Sequence, residues 1–330
     1  MSPRPTRRAA LALMAGALAA PGAARAQAGL EGARARAAGI DQLHALIVRR
    51  GGETLVAEAF RGPGLDRVAN VKSASKTILS LLVGIAIDRD VLPGVDAALL
   101  PLLGRDATGD ARDRIVLADL LSMRGGLGST SGPNYGAWVS SRDWVDYALA
   151  QPLVSEPGGR FVYSTGTTHL LGVALARAAD ATLLSLARDW LGRPLGIDFA
   201  PWVRDPQGYY LGGNDMATTP EGLARIGEMV VAGGAWRGTR VVSEAWLDAA
   251  LTGRGRSPFS GDRYGYGWFL TRLAGRNAAY ARGYGGQILA VVPEAGMVIA
   301  ITSDPSRPAR SGGYFGELRG LMEGIVAAAA

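Results

Sequence analysis

Val71-Lys72-Ser73-Ala74-Ser75-Lys76-Thr77-Ile78-Leu79-Ser80-Leu81-Leu82-Val83-Gly84-Ile85-Ala86-Ile87-Asp88 is the stretch on which the reading of this chain turns. Its second half is apolar on nearly every side, so the helix expected over Ser73 to Asp88 should run through the interior rather than along a surface. Its first turn holds a serine and a lysine three residues apart, which puts hydroxyl and amine on one face. A serine hydroxyl is a poor nucleophile until a neighbouring base takes its proton, and a helix N-terminus favours the negative charge that develops in attack. A capped, solvated helix start could carry the same four residues, but a buried helix immediately downstream fits that reading badly. Lysine occurs twice in the chain, at Lys72 and Lys76, against 33 arginines. Arginine keeps its proton in proteins, whereas a partly buried lysine beside another cation can give it up. Both exceptions flank Ser73.

Working outward, 330 residues with 48% hydrophobic content supply a sizeable core for one large domain or two closely packed ones. The formal charge of +6 includes Arg4, Arg7, Arg8 and Arg25, and without them +6 − 4 leaves +2. That balance does not argue for a nucleic-acid partner or an acidic membrane surface. Arg7-Arg8, the apolar run Leu11 to Ala20 and the small-x-small motif Ala24-Arg25-Ala26 together read as an export signal over residues 1–26, with Gln27 as the mature start. Either the twin-arginine or the ordinary secretory route fits these residues. An apolar run of ten residues falls short of the ~20 that a membrane span requires, so no stable membrane insertion is expected after signal removal. The expected location is periplasmic or secreted. With no cysteine and only His44 and His169, thiol chemistry, disulfides and a histidine-built zinc site are all disfavoured. No G-x-S-x-G elbow is present either.

Leu43 to Val48 and Leu55 to Ala59 read as a hairpin of strands around Gly51-Gly52. Helical patterns follow at Leu117 to Met123, Arg142 to Ala150, Thr168 to Ala179 and Pro220 to Ala232. Short strands are expected at Tyr266 to Leu270, Ala279 to Gly283, Gln287 to Val292 and Met297 to Thr302, ahead of a helix Phe315 to Ala329. Strands at both chain ends imply one antiparallel sheet, an α/β (α+β) architecture, with the helical middle inserted. The expected division is 27–90 plus 239–330 for the sheet and its helices and 91–238 for a mainly helical region, forming one catalytic unit.

Two further stretches have chemical potential. Pro157 to Gly166 is a turn leading into Tyr163 and then a helix, and a phenol near an ammonium can relay a proton. Ala281-Arg282-Gly283-Tyr284-Gly285-Gly286-Gln287 ends a strand in closely spaced glycines, where a substrate could lie against bare backbone and accept hydrogen bonds from N–H groups. Taken alone, each would be a packing tyrosine and a hairpin turn. His169 and His44 read as packing residues, and Trp138, Trp144, Trp202 and Trp236 as core or cleft lining.

Together, and in this order, these elements resemble the serine β-lactamase and penicillin-binding-protein superfamily, with its S-x-x-K, Y-x-N and K-T-G motifs. The resemblance runs from about Leu43 to Val326 and includes Leu120-Leu121-Ser122-Met123-Arg124-Gly125-Gly126-Leu127 and Tyr264-Gly265-Tyr266-Gly267-Trp268. The glycine-rich segments are similar to the branch of class C-like esterases and 6-aminohexanoate-oligomer hydrolases. The resemblance implies a β-lactamase/transpeptidase-like fold and acylation of Ser73 by a small ester or amide substrate. It also implies acid and base work shared by Lys76 and Tyr163, an oxyanion site from the N–H groups of Ser73 and Tyr284, and no metal or organic cofactor. Substrate contacts are expected at Thr165, Ala281, Gly283, Gly285 and Gly286. Thr165 stands where the family motif has asparagine and Ala281 where it has lysine or histidine, and Arg282 should point to the other face of its strand. Both departures favour esters or uncharged amides over β-lactams and D-alanyl peptides, although an arginine from elsewhere could restore the cation. A binding domain without turnover on the same fold is the other reading.

Overall fold

A computed structural model describes residues 21–329 of the chain. The export signal expected over residues 1–26 lies outside them apart from its end, where the backbone already enters a helix, α1 (Pro21–Ala38).

Apolar residues on both faces make the centre of one eight-stranded antiparallel sheet. Its strands are β1 (Leu43–Arg50), β2 (Glu53–Ala59), β3 (Gly255–Arg256), β4 (Arg263–Tyr264), β5 (Phe269–Leu273), β6 (Arg276–Gly283), β7 (Gln287–Val292) and β8 (Met297–Ser303). They lie in the order β2-β1-β8-β7-β6-β5-β4-β3, so the two chain ends meet where β1 pairs with β8, Ile47 opposite Ala300. Every residue of β7 and β8 is buried. Each Ile, Leu or Val so enclosed contributes about 1.5–3 kcal/mol relative to exposure, which is why these continuous apolar runs sit in the middle of the sheet.

The alternation of side chains along each strand divides the interior in two. Tyr280, Ile288, Ala290, Ile299 and Ile301 face a layer made of α1 and the C-terminal helix α5 (Tyr314–Ala329). Ala279, Ala281, Leu289, Val291 and Ala300 face the other side, with α2 (Ser75–Asp88), α3 (Thr165–Ala178) and α4 (Pro220–Val231). The helix α4 crosses β8, β1 and β7. As its composition demands, α2 is interior, with every residue from Ser75 to Ala86 buried. Two of its three buried hydroxyls find partners across the core: Thr77 Oγ1 donates to Gly267 O at 2.6 Å and Ser80 Oγ to Tyr266 O at 2.7 Å. The helix begins two residues later than the pattern suggests, because Lys72–Ala74 form a tighter 3₁₀ turn ahead of it.

Candidate active site

The 3₁₀ turn sets the geometry. Lys72 has a left-handed φ of 50°, unusual for a residue with a side chain, and the turn is held in that conformation from two sides. Lys72 N–H donates to Asn70 Oδ1 at 2.8 Å, and Ser75 Oγ donates to Lys72 O. Ser73 thereby sits half-buried at the mouth of α2, and Lys76, one turn later, reaches back so that its Nζ lies 3.3 Å from Ser73 Oγ.

Lys76 is 4% exposed. Its amine donates to Gly213 O at 2.7 Å and reaches Thr165 Oγ1 at 3.3 Å, and it stands 5.0 Å from the ring centre of Tyr163. These are neutral partners, so burial pushes the ammonium down to about 7, against the more distant field of Asp215, which favours the charge. Three contacts of this kind suit a neutral amine: two N–H groups for Gly213 O and Thr165 Oγ1, and a lone pair for the Ser73 hydroxyl. The Tyr163 phenol lies beside this amine and the Ser73 side chain. Its burial pushes it above the usual phenol range, opposed by the bond to Ser73 and by the charge of Arg282.

Thr165, in the first turn of α3, is buried and engaged on both sides. Its N–H donates to Ser131 Oγ at 2.8 Å, and its hydroxyl pairs with the same oxygen at 2.9 Å. An amide nevertheless reaches the nucleophile from another segment, because Asn214 Oδ1 lies 3.4 Å from Ser73 Oγ, an alternative acceptor for its single proton when Lys76 is charged, while Asn214 Nδ2 donates to Tyr135 Oη at 3.2 Å. The loop Gly213-Asn214-Asp215 is the part of the site that reading by motif missed. It is bound to the nucleophile turn along its length: Met216 N–H donates to Ser75 Oγ at 3.0 Å, Val71 N–H to Met216 O at 2.9 Å, and Ala69–Asn70 pair with Ala217–Thr218 as a short antiparallel ladder. The only outward sign of it in the chain is Gly212-Gly213-Asn214-Asp215, a turn-forming run. Gly213 has a φ of +78° and no room for a side chain, since a Cβ there would stand 2.3 Å from Thr168 Oγ1.

The end of β6 closes the other side. A Cβ on Gly283 would lie 2.2 Å from Val71 O and 3.1 Å from Lys72 Cβ, so its bare backbone permits the strand to abut the nucleophile turn. Tyr284 follows, half-exposed at 52%. Gly285 and Gly286, both with positive φ, pack against the backbone of Asp304 and the ring of Tyr314. Ala281 is buried on the α2 side. Arg282 points to the opposite face, as alternation requires. Its guanidinium stacks 3.7 Å from the Phe315 ring centre, donating to Ala309 O at 2.6 Å and Ser311 Oγ at 3.0 Å. Lys72 is neutralised by Asp215 at 3.0 Å.

His169 belongs to a neighbouring packed cluster. It is fully buried between Trp138 and Trp144, its Nδ1 accepts from Gly212 N–H at 3.2 Å, and Nε2 is left to donate to Asp205 Oδ2 at 3.0 Å. It thus supports the loop beside Lys76 without touching Ser73. Trp138 and Trp144 are core residues. Among the described residues no single helix is long and apolar enough to cross a membrane.

A 6-aminohexanoate-dimer hydrolase from Paenarthrobacter ureafaciens is 25% identical over 239 residues, which are 67% of this chain and 60% of that relative's length. The fold superimposes on a family VIII carboxylesterase with a TM-score of 0.72 at 16% identity, covering 94% of this chain and 98% of the esterase. A penicillin-binding protein homologue from Caulobacter crescentus gives a TM-score of 0.72 at 19% identity, covering 92% and 97%. Residues 40–314 match the Beta-lactamase family model, a span that takes in the nucleophile turn, the loop and the end of β6, and the chain therefore belongs to the beta-lactamase family.

Proposed function

We propose that the protein is an exported serine hydrolase that cleaves small, uncharged esters or amides through an acyl-enzyme on Ser73. One observation carries this reading: an enclosed lysine whose proton affinity is brought down to about 7 stands 3.3 Å from a serine hydroxyl. A base with that affinity is half-deprotonated near neutral pH, where general-base catalysis is most effective. In the first half-reaction, Lys76 Nζ takes the proton of Ser73 Oγ as the oxygen attacks the substrate carbonyl. The tetrahedral oxyanion is received by the N–H groups of Ser73 and Tyr284. The carbon–oxygen or carbon–nitrogen bond then breaks, and the departing alcohol or amine leaves with the proton relayed through Tyr163. Water, giving its own proton to the same base, releases the acid and restores Ser73.

Specificity for uncharged acyl groups is supported by charge placement. The third-motif position is Ala281, Arg282 is stacked on Phe315, and Lys72 is paired with Asp215, so these positions offer no free cation to a substrate carboxylate. The names of the relatives, a 6-aminohexanoate-dimer hydrolase and a carboxylesterase, support amide or ester as the bond cleaved, and a 6-aminohexanoate dimer itself carries charge. Export rests on Arg7-Arg8, the apolar run and Ala24-Arg25-Ala26, and cell fractionation of the full chain tests it.

The decisive experiment compares a short-chain p-nitrophenyl ester with a chromogenic cephalosporin, using the protein and its Ser73→Ala variant. Ester turnover that disappears in the variant, with little cephalosporin cleavage, is expected. An unchanged rate in Ser73→Ala would overturn the mechanism, and rapid cephalosporin cleavage would overturn the specificity.

A further inference from the structure

Lys72 is one of only two lysines, and the reaction described above makes no use of it. Its ammonium lies 3.0 Å from Asp215 Oδ1, and the same oxygen accepts from Asn70 Nδ2 at 2.8 Å. The pair is shielded, with side chains 25% and 14% exposed. Both residues hold left-handed backbone, φ 50° at Lys72 and 61° at Asp215, where a side chain is disfavoured. Two strained residues, joined by an ion pair, therefore bracket the site: one precedes Ser73, and the other ends the loop whose Gly213 carbonyl holds Lys76.

We propose that Lys72 and Asp215 act as a positioning clamp that fastens the Gly213–Asp215 loop to the nucleophile turn and sets the electrostatic balance felt by Lys76. This rests on Ser73 and Lys76 forming the nucleophile–base pair. The geometry accounts for a lysine where the chain elsewhere uses arginine. Lys72 Cβ is confined by Gly283, whose absent side chain would come within 3.1 Å of it, and a point cation on a flexible stem meets a single carboxylate oxygen there. A planar guanidinium would demand a second acceptor.

The charged and titratable groups around Lys76 are few. Tyr163 comes from the segment ahead of α3, Asp215 from the loop with Lys72 upon it, Tyr135 stands behind Asn214, and Arg282 of β6 acts through Tyr163. Among these, Asp215 is the one whose charge favours the Lys76 ammonium. Removing that charge leaves Lys72 uncompensated and should lower the Lys76 titration, whereas removing Lys72 leaves Asp215 uncompensated and should raise it. A contact that served folding alone would not move the titration in opposite directions.

Two lysines give two side-chain signals, so protein labelled with 13C at lysine reports the titration by NMR without reference to activity. The Lys72→Arg variant removes one signal and assigns the other to Lys76. Asp215→Asn is expected to move the Lys76 midpoint down from about 7 by roughly half a pH unit or more, and Lys72→Met to move it up by a similar amount, as a partly buried charge several ångströms away should. The acidic limb of kcat/KM should follow both shifts, with kcat reduced and KM little changed, and Asp215→Glu should restore the limb. Midpoints unmoved in both variants, or moved in the same direction, would overturn the clamp. If Asp215→Asn does not fold, Lys72→Met decides alone, since an unmoved or lowered midpoint is incompatible with the proposal. Loss of Ser73-dependent turnover in the parent protein would instead defeat the hydrolase reading, while the NMR titration would still judge the clamp.

Discussion

Arg49 and Lys76 are both withdrawn from water, and their surroundings differ in kind. Arg49 on β1 lies between Glu221 and Glu228 of α4, bonded to both, with Nη2 2.6 Å from Glu221 Oε1. Burial works against its charge, yet the two carboxylates outweigh it and hold the guanidinium above its ordinary value. Lys76 on α2 has a backbone carbonyl and two hydroxyls around it, and burial prevails. The first arrangement joins a helix to a sheet at a fixed charge. The second keeps an amine ready to lose its proton and gives up stability to do so, the pattern expected where a fold serves chemistry rather than itself.

The widest separation between the two should come from exchanging the kind of cation. Lys76→Arg keeps the charge but removes any accessible proton loss, so kcat/KM for a p-nitrophenyl ester should fall about 10³-fold or more while circular dichroism stays unchanged. Activity within tenfold of the parent would show that Lys76 is not the base. At the other cation the effect should appear in stability. Arg49→Met leaves Glu228 partly buried without its counter-charge and Glu221 with Arg225 alone, and should lower the unfolding free energy by about 3 kcal/mol in urea titration. The pH at which activity is half-maximal should not move. A shift in that pH would mean that the sheet-side ion pair and the catalytic amine are coupled after all.

The same contrast explains what could be read from the chain beforehand. The runs Leu81–Ile87, Ile288–Val292 and Met297–Ile301 carry no polar side chain, and they form the interior helix and the two central strands because no other placement hides them. The α1 helix escaped notice: its Ala, Gly and Arg residues show no clear apolar stripe, and only its packing against α5, with Gly29 against Ala328, gives it a reason to exist. The edge strand β3 and its neighbour β4 are two residues each, too short for any alternation to register. At the site, Ser73 and Lys76 could be picked out by residue type and spacing, and Tyr163 and Thr165 by the family resemblance, and the structure brings these four together. The loop that completes their surroundings could not, because it contributes a carbonyl oxygen to Lys76 across 137 residues of chain, a positive-φ glycine, and an ion pair to Lys72. Backbone groups leave no residue-type signature, and Gly212-Gly213-Asn214-Asp215 alone reads as any other turn.

The smallest effect is the most discriminating, because it runs against the usual direction. Replacing a buried side chain normally destabilises a protein, but Lys76→Met exchanges an amine held out of water for an apolar chain of similar length. The sign follows from proton linkage. Unfolded, the lysine titrates near 10.5; folded, it titrates near 7, so between those values the unfolded chain binds the extra proton and stability rises with pH. Below pH 7 the native state carries the whole penalty of a buried ammonium. That penalty is about 5 kcal/mol, so the variant should gain about 2 kcal/mol at pH 6, after allowing about 1 kcal/mol for each of the lost contacts to the Gly213 carbonyl and the Ser73 and Thr165 hydroxyls. The gain should shrink steadily as pH approaches 10. Thermal unfolding of both proteins at pH 6, 8 and 10 measures it. A constant difference across that range would mean that Lys76 titrates alike folded and unfolded, and that the contrast with Arg49 is one of partners only and not of proton affinity.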